Sequence, residues 1–393
     1  MTHRLYYENP YAKELSGVRI VSCAPRRDGY GIMLDQTIFY PEGGGQMGDT
    51  GSIAVSAGET ERAVHVLDTV EEGGHVVHIT DGALPAGETC RIRLDWPRRH
   101  ALMQQHTGEH IVSGLVKNRF GLDNVGFHMG RDCVTVDYGG PLTREQLDDI
   151  ELAANEAVYA NIPVRIATQD PGGDYRAKLD FEGAVRVVDI PGCDRCACCG
   201  LHVKATGEVG IIKILSVKNY KGGVRVGMLS GKDALQDYRR KHEILSSLAA
   251  QASTSVEEYP AYVEKLLKEK AQLARCASDL ARRMLETTIG QMEPSDKPQI
   301  LFVQDADGVL LSQSALALLE KAPVAAVFCG EEPGGYRYAV ASKSDARIIA
   351  KTMNEALRGR GGGSAALAQG QVSAGRQAIE AFFRALSEPA QTP

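Results

Sequence analysis

Asp95-Trp96-Pro97-Arg98-Arg99-His100-Ala101-Leu102-Met103-Gln104-Gln105-His106-Thr107-Gly108-Glu109-His110 decides how the middle of the chain is read. An acidic residue with proline two places on marks a helix start, because proline has no N–H to lose in the first turn. Leu102, Met103, Ile111, Leu115 and Val116 then recur at helical spacing. His106 and His110 stand at i and i+4, on one face, so both imidazoles reach a single ion. A lone histidine pair is as readily a polar stripe, and the spacing by itself leaves both readings open.

A second pair repeats the step. Cys198 and His202 are also four apart, in a segment holding Gly200 where a turn is expected. Imidazole and thiolate are ligands that zinc favours, and four donors make a tetrahedral set. His106, His110, Cys198 and His202 are therefore the candidate ligands, with Zn2+ the candidate cofactor. Two rivals compete. Cys193-x-x-Cys196 and Cys196-x-x-Cys199 each fit half a four-thiolate site or a redox pair, but no second Cys-x-x-Cys completes one. His106-Thr107-Gly108-Glu109-His110 also matches the inverted zinc-peptidase motif H-x-x-E-H, with Glu109 as base. That reading leaves Cys198 and His202 without a role. No serine or cysteine has an obvious histidine partner, so no catalytic residue is assigned and attack by water is the simpler expectation.

Outward from this core the chain divides into four. Residues 1–95 carry short alternating runs broken by glycine, such as Cys90-Arg91-Ile92-Arg93-Leu94-Asp95, and read as a small β-barrel. Residues 96–232 mix helices with antiparallel strands, an α+β zinc-binding domain. Strands are expected at 133–138, 184–190, 211–217 and 223–229, and Thr143-Arg144-Glu145-Gln146 opens a helix with capping-box spacing. Residues 233–290 are helical. Val263, Leu266, Lys270, Leu273, Ala277, Leu280 and Met284 form a heptad seam, while Thr254, Ser255 and Pro260 break the run into an antiparallel pair. Residues 291–393 alternate β-like and helical segments, a small α/β domain containing the loop Gly359-Arg360-Gly361-Gly362-Gly363-Ser364. Residues 388–393 read as a frayed tail. The fold class is thus α+β overall.

Hydrophobic residues at 43% and charged residues at 24% are those of a soluble globular protein, and 393 residues suffice for two or three cores. The formal charge of −6 argues against a strongly basic nucleic-acid coat, though a local basic surface can coexist with it. The N-terminus lacks the apolar core of a secretory signal and no apolar run approaches a membrane span, so the chain reads as cytoplasmic with its nine cysteines reduced.

Several blocks, in one order, resemble the AlaX family of alanyl-tRNA editing proteins and the matching half of alanyl-tRNA synthetase. Phe39-Tyr40-Pro41-Glu42-Gly43-Gly44-Gly45-Gln46-Met47-Gly48-Asp49-Thr50-Gly51 is similar to its glycine-rich motif. Residues 95–99 and 103–110 resemble its first zinc helix. Cys198-Cys199-Gly200-Leu201-His202-Val203 resembles its second zinc motif, usually Cys-Gly-Gly-Thr-His-Val, and Thr206-Gly207-Glu208-Val209-Gly210 follows. Gly361-Gly362-Gly363-Ser364 leading to Ala368-Gln369-Gly370 is similar to the synthetase C-terminal domain, and the resemblance is therefore to the large AlaX form. Cys199 and Leu201 depart from the family, and Cys193 and Cys196 lie outside the resemblance.

The resemblance implies a trans-editing hydrolase that deacylates alanine tRNA carrying serine, with glycine as a further candidate. Rejecting alanine then requires a partner for the seryl hydroxyl, and His128 and Gln46 are the polar candidates. Gly43, Gly44 and Gly45 are either a hairpin turn or a backbone surface for the tRNA end. Gly361, Gly362 and Gly363, near Arg347, Lys351, Arg358 and Arg360, are either a linker or an RNA contact. The heptad seam permits a homodimer through the C-terminal half. The alternative from another class is a zinc-stabilised tRNA-binding protein without catalysis.

Overall fold

In the strand Thr89–Leu94, Cys90, Ile92 and Leu94 are buried and the residues between them face water. That period of two lets one face of a sheet line a core. The computed structural model describes residues 2–57, 60–130, 132–170, 173–177 and 183–386. The chain forms two compact units, residues 1–247 and 248–393. In the first, Glu14–Arg26 (β1), Gly29–Leu34 (β2), Gly51–Ala57 (β3), Thr60–Glu72 (β4), His75–Thr80 (β5) and Thr89–Leu94 (β6) close a barrel in the order β1-β2-β5-β4-β3-β6. Its lumen is filled by side chains including Ile20, Ile32, Leu34, Ile53, Val66 and Ile92. Irregularities between Ile20 and Ser22 in β1 and between Val66 and Asp68 in β4 bend the strands enough for closure.

The helix expected after Asp95 is Trp96–Phe120 (α1). The Asp95 carboxylate accepts from the Arg98 N–H at 3.2 Å, and Gly121 ends the helix in the left-handed conformation. Burial runs unbroken from Leu102 to Gly114, so α1 is a central helix rather than a two-faced surface one. Around it lie Asn124–Met129 (β7), Val134–Tyr138 (β8), Arg144–Tyr159 (α2), Arg165–Gln169 (β9), Val185–Ile190 (β10), Asp194–Ala197 (β11), Ile212–Tyr220 (β12) and Gly223–Ser230 (β13). They form an antiparallel sheet β12-β13-β8-β7 and a smaller one β9-β10-β11. The Thr143 capping box is present in full, with bonds of 3.2 and 2.9 Å to and from Gln146.

Barrel and helix are joined by a buried ion pair. Arg99, fully buried, is paired with Asp49 at the end of the glycine-rich segment. The Arg99 Nε donates to both Asp49 oxygens at 2.9 Å, and Nη1 and Nη2 donate to the carbonyls of Pro10 and Ile38 at 2.9 and 2.6 Å.

The helix Gly231–Gln251 (α3) spans the boundary at residue 247, and Tyr259–Gln291 (α4) lies in the second unit with Pro260 in its first turn. The heptad seam is not core within the chain: Leu266, Leu273, Leu280 and Met284 are exposed, and Leu285 and Ile289 are the buried residues of α4. Gln299–Val303 (β14), Val324–Glu331 (β15), Gly335–Ser342 (β16), Gly359–Gly363 (β17) and Leu367–Val372 (β18) make a sheet ordered β14-β15-β16-β18-β17. Alternate residues of β15 face opposite cores, with Val327 toward Gly308–Leu319 (α5) and Phe328 toward Ala346–Ala356 (α6) and Arg376–Ala385 (α7).

Gly361, Gly362 and Gly363 are not a loop but part of edge strand β17, paired with β18. Glycine has no side chain to show a period of two, so the pattern hid the strand. A Cβ on Gly361 would lie 2.3 Å from the Gln369 carbonyl oxygen and 2.7 Å from the Tyr338 hydroxyl. The tail at 388–393 lies outside the described residues.

Removing one partner of the Arg99–Asp49 pair leaves the other charge buried and uncompensated. Asp49→Ala is expected to destabilise the first unit by about 3–5 kcal/mol, read from urea unfolding of the full chain. A loss below about 1 kcal/mol, the value of a surface pair, would contradict this account.

Candidate metal centre

The helical geometry of α1 sends His106 and His110 into the same buried space, and the turn after β11 delivers Cys198 and His202 to it. One ligand atom from each of the four lies within 4.8 Å of all the others, so the set could hold a metal ion. Cys198 Sγ is 3.4 Å from His106 Nε2 and 3.5 Å from His202 Nε2. All three histidines are 3% exposed or less, which keeps competing water away.

Each imidazole is held from behind. His106 Nδ1 lies 2.9 Å from Gln46 Oε1, and the same oxygen accepts the Leu201 N–H at 2.9 Å. A backbone N–H only donates, so it fixes which end of the Gln46 amide faces the site. His106 Nδ1 therefore carries its proton and Nε2 presents a lone pair. His110 Nδ1 donates to Asp194 Oδ2 at 2.9 Å. His202 Nδ1 is 3.2 Å from the Thr107 hydroxyl, which also accepts the Val203 N–H. This outer ring orients ligands in metal sites generally.

Electrostatics differs from one donor to the next. Burial opposes charge on Cys198, but the neighbouring His106 and His110 imidazoles outweigh it and hold the thiol well below its usual range. Burial, reinforced by His106, pushes His202 down to about 3, which leaves it a neutral donor at pH 7. Burial also disfavours a charged His110, yet Cys198 and Asp194 raise it well above an ordinary histidine.

Comparison with known proteins places the chain in a family. A model of the threonyl and alanyl tRNA synthetase second additional domain matches residues 185–226, the stretch holding Cys198 and His202. A model of class II (A) tRNA synthetases matches residues 6–98, most of them barrel. The alanyl-tRNA editing protein AlaX-L of Pyrococcus horikoshii is 30% identical over 95% of both chains. The chain belongs to the alanyl-tRNA editing protein family. An alanyl-tRNA editing protein of Danio rerio is 28% identical over 93% of each chain. The alanine–tRNA ligase of Natronomonas pharaonis is 31% identical over 88% of this chain but only 39% of its own length.

As an editing-family chain, it gives its departures from the family motif clear positions. Leu201 is buried in the core and spends its N–H on Gln46, while Cys199 is exposed. Arg186 donates to the carbonyls of Cys198 and Gly200 at 2.6 and 2.9 Å, which fixes the turn without the usual residues. Cys193 and Cys196 are buried outside the four-donor set. Cys196 does approach His110 and Asp194 closely enough to form a second possible donor group. Arg176 already occupies both oxygens of that carboxylate, which makes it a poor cation site.

The glycine-rich motif stands behind the centre. A Cβ on Gly45, where φ is +83°, would strike the Phe127 ring at 2.5 Å, and Phe127 stacks on His106 with centroids 5.2 Å apart. Gly44 has open space around it, and Gly43 bridges to Gln46 in a tight turn. His128, expected in the substrate pocket, is exposed and is not in the donor group. It lines a cleft of about 1260 Å³ with Met47, Arg98, Gln105, Lys232 and Arg240. Gly361, Gly362 and Gly363 belong to the other unit.

The peptidase reading needs Glu109 free to act as a base, and its carboxylate is taken up elsewhere. The Glu109 carboxylate accepts from the Ser113 hydroxyl and, at 2.6 Å, from Asn124 Nδ2, and Glu109 is not in the donor group. Asp194, Thr107, Arg176 and Arg186 were missed by the sequence reading, since outer residues follow no ligand spacing. A carboxylate beside Cys193 was the one available signal.

A Cβ on Gly200 would sit 2.0 Å from His106 Cε1 and 2.3 Å from Nδ1. Gly200→Ala must therefore displace His106 from both Gln46 and the centre. Its affinity for divalent zinc, measured against a competing chelator, is expected to fall at least about ten-fold.

Proposed function

We propose that this chain removes serine wrongly attached to the alanine tRNA, as a trans-acting ester hydrolase with zinc held by His106, His110, Cys198 and His202. Glycine is a second candidate amino acid. The observation that carries the reading is a buried set of four convergent donors in a chain that aligns nearly end to end with AlaX-L. One thiolate with three imidazoles suits zinc in charge and softness. Bound zinc supplies a positive centre that can polarise an ester carbonyl, orient the amino group or acidify a water.

The protein's own residues do the rest. Gln46, Thr107 and Asp194 hold the imidazoles, and Arg186 holds the turn. An aminoacyl ester is already activated, so positioning and oxyanion stabilisation suffice for attack by water. Arg98, Lys232 and Arg240, which share the cleft with the carboxylates of Glu42, Asp68, Asp95, Asp132, Asp233 and Asp237, are the candidate phosphate contacts for the tRNA 3′ end. His128 on the same cleft is the candidate partner for the seryl hydroxyl, since a site that pairs a hydroxyl rejects alanine by leaving that partner unmatched.

In the second unit, Arg347 and Lys351 beside Gly361 and Gly362 are a candidate RNA contact, and the exposed α4 seam is a candidate homodimer surface. The proposed place of action is the cytoplasm; among the described residues no helix is long and apolar enough to cross a membrane.

One observation favours a second reading. Four donors fill a tetrahedral zinc, as in structural sites, which would make this a zinc-stabilised tRNA-binding protein without turnover. The zinc-loaded chain is expected to deacylate seryl-tRNA(Ala) and to spare alanyl-tRNA(Ala), with Cys198→Ala losing more than the ~10–100-fold typical of an outer-shell change. Survival of the seryl ester at the buffer rate, with tRNA still bound, would decide for the non-catalytic reading.

A further inference from the structure

We infer that Asp194 and Arg176 are positioning residues for the metal centre, a guanidinium–carboxylate–imidazole chain that holds His110 with its Nε2 free for the ion. The inference rests on the proposed metal reading, and it assigns roles to two residues that no ligand motif contains.

The geometry is complete at each link. Arg176 Nε donates to Asp194 Oδ1 at 2.7 Å and Nη2 to Oδ2 at 2.8 Å, a two-point contact that sets the plane of the carboxylate. Oδ2 then accepts from His110 Nδ1 at 2.9 Å. The Asp194 side chain is 2% exposed and that of Arg176 18%. A carboxylate this deep, facing only a neutral imidazole, would be an uncompensated buried charge; the guanidinium compensates it and leaves one oxygen aimed at the ring. His106 and His202 have neutral partners, Gln46 and Thr107. His110 alone is backed by a charged one.

Arg176 is itself tethered. Its N–H donates to the Arg195 carbonyl at 2.7 Å, and its carbonyl accepts the Ala197 N–H at 2.8 Å, a parallel bridge to Cys196 on β11. The residue is therefore fixed to the strand immediately before Cys198, and it reaches His110 from outside the ligand motifs. Cys193 and Cys196, left without a role by their spacing, bury the strand around Asp194. On α1 the facing residue is Gly114, where a Cβ would lie 2.5 Å from that of Asp194. The close approach requires glycine.

The test uses the full-length chain and zinc affinity measured by competition with a chromophoric chelator, with the absorption of the cobalt-substituted protein as a second readout. Asp194→Ala is expected to bind zinc about 10–100-fold more weakly. Arg176→Met is expected to lose about ten-fold with an altered cobalt spectrum, and Arg176→Lys, which restores the charge but not the two-point contact, to recover only part of it. Folded variants with wild-type affinity and spectrum would overturn the inference. A wild-type chain that binds no zinc would overturn the metal reading instead. Should the variants not fold, nitrogen NMR of the zinc-loaded wild type decides: His110 protonated on Nδ1 supports the chain of contacts, and protonation on Nε2 refutes it.

Discussion

The first unit depends on a charge that water cannot reach. Arg99 is enclosed between the barrel and the start of α1, and its guanidinium is satisfied by Asp49 and by the carbonyls of Pro10 and Ile38. Burying such a cation is tolerable only when its donors are matched, so the partners admit little variation in docking angle. Asp49 lies three residues after Gln46, and Arg99 lies seven before His106. Locking one pair thus delivers the other. Gln46 reaches His106 because the arginine two turns earlier has already set the helix against the barrel loop.

From that junction inward, each layer constrains the next. The central position of α1 forces nearly every side chain of its middle turns to find a partner, and the polar ones find specific partners. Gln104 and Gln105 bond to the Glu208 carbonyl and to Asp233, and Glu109 bonds to Ser113 and Asn124. The two histidines are different, because their outward nitrogens are matched while their inward nitrogens converge on a thiol. That contrast separates a candidate ligand from a satisfied core histidine such as His78. Both of its nitrogens have partners, Thr37 and the Ile32 carbonyl, and burial pushes it down to about 4.

The sequence exposed this inner set and hid its support. His106, His110, Cys198 and His202 were legible because a helix and a turn each place residues four apart on one side, and because few residue types serve as zinc donors. The capped starts of α1 and α2 and the alternation of Thr89–Leu94 were legible for equally local reasons. Gln46, Asp194 and Arg176 were not legible as supports, since they act across |i−j| of 60, 84 and 18 and obey no local period. Gln46 was noticed as a polar neighbour of the glycines, but nothing local tied it to His106. In the second unit the α4 heptad looked like packing, yet most of its large side chains face outward. A heptad records what a helix can bury, and carries no statement about whether its partner lies in the same chain.

The ring behind the imidazoles has a bearing on biosynthesis. Its members are spread along the chain, with Gln46 emerging from the ribosome first, then Thr107, and Asp194 only shortly before the last two donors. A chain ending before residue 194 holds two of the four candidate donors, His106 and His110, and lacks the carboxylate behind His110. The four-donor set is complete only when the turn carrying Cys198 and His202 has been added, so both halves of the unit are needed to assemble it.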